Sequence, residues 1–318
     1  MITVRRFSAS FFALALLVWL ATGFAAAQVR TPRPSPKASV MQTIGVTDVT
    51  ITYSRPAVKG RAIWGDPLPE QASIKGEATL DDQNVRPKGA PIVPWGHAWR
   101  TGANEATQFV VTDDVLINGQ KLAAGSYSLH TIPTKDEFTV IFNSVANQWG
   151  SFGYDASKDT LRIKVKPEWS EHSKEWLEYW IDPINDNSAQ VNIRWEKVRV
   201  PFTVEVKDVQ GLTLQKARAA VAAAKPDDFS TRLQAANYAL SNKLSVEEGM
   251  SWLDQSIKIK ETLGNLGLRA RVLAEQGKTA EAIAAGERAI QVGKEAKANP
   301  TNIANMEKQV ADWKAKKM

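Results

Sequence analysis

From Val49 to Val206 the chain repeatedly alternates apolar and polar residues with a period of two. Val49, Ile51 and Tyr53 alternate with Thr50, Thr52 and Ser54, and Leu161, Ile163 and Val165 with Arg162, Lys164 and Lys166. Val191, Ile193 and Trp195 do the same against Asn192, Arg194 and Glu196. Phe138, Val140 and Phe142 follow the rule against Thr139 and Asn143, with Ile141 breaking the polar face. The longest stripe is Val198, Val200, Phe202, Val204 and Val206. Each pattern predicts a half-buried strand, because successive side chains of a strand point to opposite faces. Pro201 lies off the last stripe and lacks a ladder donor, which predicts an edge or a bulge there. Asn118-Gly119 predicts a tight hairpin, and Ile132-Pro133 ends a strand begun after Ala124-Gly125. A parallel sheet would need crossover helices of about a dozen residues between strands and the pattern shows none, so the strands are expected to be antiparallel. Residues 38–208 therefore read as a β-sandwich or open barrel.

Past Leu212 the pattern and composition turn helical. Leu212 to Ala224 reads as a helix stopped by Pro226, with Asp227, Asp228 and Ser230 as caps for the next. Ala270, Gly277, Ala282-Ile283 and Ala289-Ile290 are echoed 33 or 34 residues earlier by Ala236, Gly249-Met250 and Ser256-Ile257. That period resembles the tetratricopeptide helix-turn-helix repeat, although Lys294 stands where its usual proline would be. The expected fold is thus β + α in two domains, the sandwich or open barrel followed by an all-α helix-turn-helix repeat domain over 211–318. Trp176 and Trp180 share one strand face and Leu177, Tyr179 and Ile181 the other. A strand apolar on both faces is expected to be covered on both, which marks it, with Trp169, as the docking surface between the halves.

Composition changes this picture at the amino terminus. Arg5 and Arg6, the apolar run Phe11 to Leu20 and Ala25-Ala26-Ala27 form the three parts of an export signal over residues 1–27. The apolar run is shorter than the roughly 20 residues that span a bilayer, so cleavage near Gln28 and a periplasmic or secreted location are expected, with no membrane span afterwards. Residues 28–37 then form a proline-rich linker. With no cysteine in the chain, disulfides and thiolate chemistry are excluded. Of the net charge of +6, the signal carries +2, residues 28–210 carry −1 and residues 211–318 carry +5. The basic part has few aromatics (Phe229, Tyr238, Trp252, Trp313), which argues against nucleic acid as a partner.

Several stretches point together to a family: Pro34-Ser35-Pro36-Lys37, Tyr53-Ser54-Arg55-Pro56, Lys59-Gly60-Arg61 with Ile63-Trp64-Gly65, Trp99-Arg100-Thr101-Gly102-Ala103-Asn104-Glu105-Ala106-Thr107, Gly125-Ser126-Tyr127 and Trp149-Gly150-Ser151-Phe152-Gly153-Tyr154. Over about Pro34 to Val206 the chain resembles the bacterial domain-of-unknown-function family 2911, whose members are typically exported. The resemblance implies no activity. Against its pattern, Asp66 to Pro91 stands as an insertion.

The segment Val93 to Thr107 concentrates candidate chemistry in a stretch without strand or helix periodicity, the mark of a functional loop. Its Trp99, Arg100, Asn104, Glu105 and His97, with Arg61, Trp64 and Trp149, are the expected ligand-binding residues. An arginine fork suits carboxylate or phosphate, asparagine both donates and accepts, and the indoles with Trp95 offer a wall to a ring or sugar face. The histidines His97, His130 and His172 lack metal-ligand spacing, and no glycine-rich turn opens a helix for a nucleotide; no metal or cofactor is expected. His130, alternating with Ser126 and Ser128, reads as solvated. The expected function is a non-enzymatic protein whose sandwich binds a small-molecule or glycan ligand and whose helical repeats bind a protein partner. The alternative is a periplasmic hydrolase with acid-base residues between Trp95 and Glu105, and a catalytic triad built on His97 or His130 has no motif to select it.

Overall fold

The computed structural model describes residues 31–69 and 88–317. The expected signal (1–27), the first part of the linker and most of the Asp66–Pro91 insertion lie outside these residues. The β region contains β1 (Lys37–Ile44), β2 (Thr47–Ser54), β3 (Trp64–Gly65), β4 (Val93–Pro94), β5 (Thr107–Val111), β6 (Val115–Ile117), β7 (Gln120–Leu122), β8 (Gly125–Pro133), β9 (Phe138–Asn143), β10 (Asp159–Val165), β11 (Glu168–Asn185) and β12 (Ser188–Glu205). They form a six-stranded antiparallel sheet, β1-β2-β5-β8-β9-β10, and a four-stranded one, β11-β12-β6-β7. Neither sheet closes on itself. A two-residue parallel pair, β3 with β4, is the exception to the antiparallel rule.

The alternation in the sequence sets the layers. Val49, Ile51, Phe109, Leu129 and Phe142 from the large sheet meet Leu177, Val191, Ile193, Phe202 and Val204 from the small one in a single core. The Phe142 and Phe202 rings meet edge to face at 5.9 Å across it, an arrangement favoured by the ring quadrupole. Asn118 (φ 46°) and Gly119 (φ 80°) make the β6–β7 hairpin. Pro201 sits where β12 leaves β11, whose pairing runs to Arg199, and before it joins β6 at Val204, so its missing N–H breaks no ladder bond.

The outer face of the large sheet is not uniformly wet. Ile141 there is buried with Ala98 and Ile132, and Tyr154 packs on them. Loop segments on either side of that small cluster roof the middle of β8 and β9. This explains the break in the polar alternation, and it corrects the reading of His130 as solvated: His130 and Ser128 are both fully buried.

Six helices follow: α1 (Val209–Ala223), α2 (Phe229–Ser241), α3 (Val246–Ile259), α4 (Leu263–Glu275), α5 (Thr279–Glu295) and α6 (Pro300–Lys317). Asp228 caps α2 by accepting from Thr231 N–H at 3.0 Å. Helices α2–α3 and α4–α5 form hairpins, and their starts recur 34 and 33 residues apart (Phe229 to Leu263, Val246 to Thr279). Small residues sit where helices approach most closely; a Cβ on Gly286 would lie 2.4 Å from Val310 and one on Gly249 3.0 Å from Leu240. The helices have two cores of their own, one around Leu214, Leu240 and Trp252, the other around Leu266, Ala289 and Met306. None of them is long and apolar enough to cross a membrane.

The helices dock elsewhere than expected. Val209 and Leu212 of α1 pack on the sandwich core, Val209 lying over Gly45, and Lys216 Nζ donates to Val46 O (2.6 Å) and Asp113 Oδ2 (2.7 Å). The β11 tryptophans are not the docking surface. β11 is an edge strand, Trp169 and Trp176 are exposed, and the outer edge of β11 near Trp176 is taken by Pro56–Val58. Trp180 instead lies beneath the Arg199 guanidinium at 5.8 Å.

Candidate functional site

The Val93–Thr107 loop is anchored from within. Trp99 exchanges backbone hydrogen bonds with Thr131 at 2.8 and 2.9 Å, its Nε1 donates to Gly102 O at 3.1 Å, and its ring stacks on Trp195 at 5.7 Å. Thr101, fully buried at φ 53°, offers its carbonyl to Thr107 Oγ1 and to Tyr179 Oη, both at 2.8 Å. Burial pushes the Tyr179 phenol well above its ordinary value, so it remains a hydrogen-bond donor. A Cβ on Gly102 would lie 2.9 Å from Thr107 Oγ1. This half of the motif is there to hold the loop in place.

The other half faces outward. Asn104, at φ 58°, donates from Nδ2 to Ser35 O at 3.2 Å. Glu105 forms an isolated antiparallel bridge with Trp149, flanked by Ala106 N–H to Gln148 O (3.0 Å) and Gly150 N–H to Asn104 O (2.9 Å). These bonds clip the Ala146–Lys158 loop to the motif. Trp149 is consequently fixed in backbone while its indole is 57% exposed. Gly150 takes φ 64°, and a Cβ there would meet Phe152 at 2.8 Å and Arg100 Nη1 at 2.9 Å. The Arg100 guanidinium therefore packs behind the Trp149–Gly150 turn.

In front of it lies an open cleft of about 300 Å³, lined by Lys37, Thr52, Glu105, Gln108, Asn147 and Trp149 among others. Its floor is the outward face of β1, β2 and β5; Gln108 Nε2 donates to Asn147 Oδ1 at 3.0 Å. Arg33, from the proline-bearing arm expected to be a plain spacer, donates from Nη1 to both Glu105 oxygens at 2.7 and 2.9 Å. Partial burial acts to raise the Glu105 carboxyl, but the Arg33 bond, Glu105's own backbone bond and the charges of Arg33 and Lys37 outweigh it. The carboxyl is held below the ordinary glutamate value. It is an ionised acceptor at neutral pH and a poor proton donor.

The expected group divides in two. Trp64 and Arg61 belong to a second cleft, of about 500 Å³, with Trp95, Lys135, Trp169 and Glu196. There Trp64 stacks on Trp95 at 6.0 Å and Trp169 meets Trp95 edge-on at 6.4 Å. Arg61 spends its donors on Val58 O (3.1 Å) and Ala57 O (2.5 Å). Trp99 and His97 are buried at 7% exposure each and line neither cleft. The sequence carries no signal that places Lys37, Gln108 and Asn147 in the cleft, since polar residues on an outward strand face or in a loop look like ordinary solvated ones.

One serine–histidine contact lies in the roofed interior. Ser128 Oγ lies 3.4 Å from His130 Nδ1, and Gln148 Nε2 donates to Ser128 Oγ at 2.9 Å. Both residues are fully buried, so that hydroxyl meets no substrate. Nearby, burial and the Asp159 carboxylate push the Tyr154 phenol upward against the pull of Arg162, and Tyr154 Oη donates to Asp159 Oδ2 at 2.9 Å. Among the described residues no group of three or more histidine, aspartate or glutamate side chains is placed to hold a metal ion.

The family model described as "Protein of unknown function (DUF2911)" matches residues 35–204, just over half of the chain. The chain belongs to the DUF2911 family. No curated protein and no solved structure matches it. The DUF2911 match starts two residues before β1 and ends inside β12, so both clefts lie within the family's own region. The six helices lie beyond it.

Proposed function

We propose that this DUF2911 protein is an exported, non-enzymatic binding protein whose Glu105–Trp149 cleft takes a saccharide. The observation that carries the reading is Trp149: a large apolar ring left more than half exposed on a loop whose backbone is bonded to the motif on both sides of it. With the backbone held that rigidly, covering the ring costs only its side-chain freedom. The C–H face of a sugar ring is apolar and fits an indole, while its hydroxyls need groups that both donate and accept. Gln108, Asn147 and Thr52 supply such groups around the cleft. Glu105, ionised, accepts from hydroxyls with charge-assisted strength.

Binding rather than hydrolysis is supported by the carboxylates. Glycoside hydrolysis ordinarily uses a pair of them, one protonated; Glu105 is the single carboxylate among the described residues lining the cleft, and it is held ionised. The 34-residue spacing of the helix hairpins supports a tetratricopeptide-like role for the tail, presenting a concave surface to a protein.

The test is calorimetric titration of the mature chain with a panel of soluble oligosaccharides, beside the Trp149→Ala variant. Binding to at least one saccharide, lost by tenfold or more in the variant with its melting temperature unchanged, is the expected result. A panel without a binder, or a variant that binds as tightly as the parent, removes the reading. Export is checked separately by amino-terminal sequencing of the protein from the cell envelope fraction; an intact Met1 would overturn it.

A further inference from the structure

The second cleft, of about 500 Å³, shares no lining residue with the Glu105–Trp149 cleft and is built differently. Trp64 and Trp95 stack nearly in parallel, and Trp169 meets Trp95 at an interplanar angle of 72°. Two indoles set close to a right angle make a corner. Trp64 backs that corner onto the core, edge-on to Trp99 at 5.5 Å, Phe138 at 5.6 Å and Trp195 at 6.1 Å. Trp169 is 51% exposed and yet tied down, since its Nε1 donates to Lys135 O at 3.2 Å. Ring faces carry the negative part of the aromatic quadrupole, and tryptophan is the best of the three rings for a cation. The chain's own cations leave this corner open. Among the described residues they cover other rings, Arg199 over Trp180 and Lys260 over Phe229.

Four charged side chains line the same cleft, Arg61 and Lys135 against Asp66 and Glu196. Among the described residues none of the four is in an ion pair. Glu196 is placed by an irregularity of the β11–β12 ladder, which shifts register on the two sides of the Lys174–Glu196 pair, and it takes φ 53°. Its Oε2 accepts from Lys197 N–H at 2.6 Å. Lys174, directly across the ladder, gives its ammonium to Glu178 at 2.8 Å instead. The Glu196 carboxylate is thus held in position without a counter-cation. Arg61 is its counterpart of opposite sign: with Nε on Val58 O and Nη2 on Ala57 O, its fork is fixed and Nη1 is left over.

A cleft of zero net charge that keeps unpaired groups of both signs favours a ligand carrying both. The corner also selects the kind of cation. An indole face offers no hydrogen-bond acceptor, so a primary ammonium leaves its N–H bonds to water unreplaced there. A methylated ammonium has none to lose, and its diffuse charge suits ring faces.

We propose that this cleft binds a small zwitterion whose cation is a trimethylated ammonium, seated in the Trp95–Trp169 corner beside Glu196. Its carboxylate or phosphate is taken by Arg61 and Lys135. The assignment does not rest on the saccharide reading of the other cleft.

The experiment is calorimetric titration of the mature chain with glycine betaine and with phosphocholine, beside glycine and tert-butylacetate. Glycine keeps both charges without the methyl groups; tert-butylacetate keeps the shape of the betaine without its positive charge. One of the methylated zwitterions is expected to bind at least about tenfold more tightly than either control, the size of a desolvated cation–ring contact. Trp169→Ala should weaken it by about as much, Trp169→Phe by less and Glu196→Gln by several-fold, while Trp149→Ala leaves it unchanged. Binding of neither zwitterion, equal binding of tert-butylacetate, or a Trp169→Ala chain that melts as the parent and binds as tightly, overturns the proposal. Should Trp169→Ala melt early, Glu196→Gln decides, and unchanged binding in that variant overturns it too. If instead a saccharide binds and Trp169→Ala but not Trp149→Ala removes it, the cleft is a sugar site and the proposal falls. Phosphatidylcholine vesicles that compete with phosphocholine identify a lipid headgroup as the source, and vesicles that do not compete identify a free solute; the zwitterion assignment stands with either.

Discussion

Gly150 shows how a single residue fixes the backbone turn that carries the exposed indole beside it. Its φ of 64° strains any side chain, and a Cβ there would displace Phe152, at 2.8 Å, and Arg100 Nη1, at 2.9 Å. Gly150→Ala is expected to destabilise the protein by about 1–3 kcal/mol, read as a lower urea midpoint; an unchanged midpoint would refute the strain. Glu105 gives a pH signature of a different kind. Its carboxyl is held below the ordinary value in the folded chain, so the Arg33 contact is fully formed above about pH 4.3, the ordinary glutamate value, and is lost as pH falls through the depressed one. Both side chains are well exposed, so the gain to overall stability stays below about 1 kcal/mol. The change should instead appear locally, as faster amide exchange in the 33–36 arm in acid. In Glu105→Gln that exchange should be fast and flat with pH, and retained protection there would contradict the pairing.

At the level of elements, the strand alternation carried most of the information. Val49, Ile51 and Tyr53 turned inward as read, Asn118-Gly119 made its hairpin, and Pro201 fell between two strand pairings. What the pattern does not encode is what lies over a face. Ser128 and His130 occupy polar positions yet are buried by loops, and Trp169 and Trp176 occupy apolar positions yet are exposed on an edge strand. The site was half legible for the same reason. The composition of Trp99–Thr107 marked the loop, but only three-dimensional pairing shows that Thr101 and Trp99 hold it while Glu105 and Trp149 face outward. The anchor is testable at Tyr179, whose hydroxyl ties β11 to the Thr101 carbonyl. Tyr179→Phe should cost about 1–2 kcal/mol and weaken saccharide binding through a looser loop; full stability with full binding would show that the tie is dispensable.

On the scale of the whole molecule, the sandwich and the helices have separate cores, joined by one helix turn over Gly45 and the Lys216–Asp113 bridge. A chain ending at Asp208 exposes only the patch under Val209 and Leu212. It is expected to fold cooperatively and to keep the proposed saccharide site. Failure of the shortened chain to melt as a single transition would show that the helices are needed by the sandwich core. The paired indoles, Trp99–Trp195 inside that core and Trp64–Trp95 packed against it, carry a last consequence. Trp99 on Trp195 at 18° and Trp64 on Trp95 at 8° are close enough for their electronic transitions to couple, which gives opposed circular dichroism bands from each pair. Those bands depend on ring-to-ring geometry and vanish when it loosens, even while the strands persist. The protein thus contains its own optical gauge of tertiary order, one that needs no label.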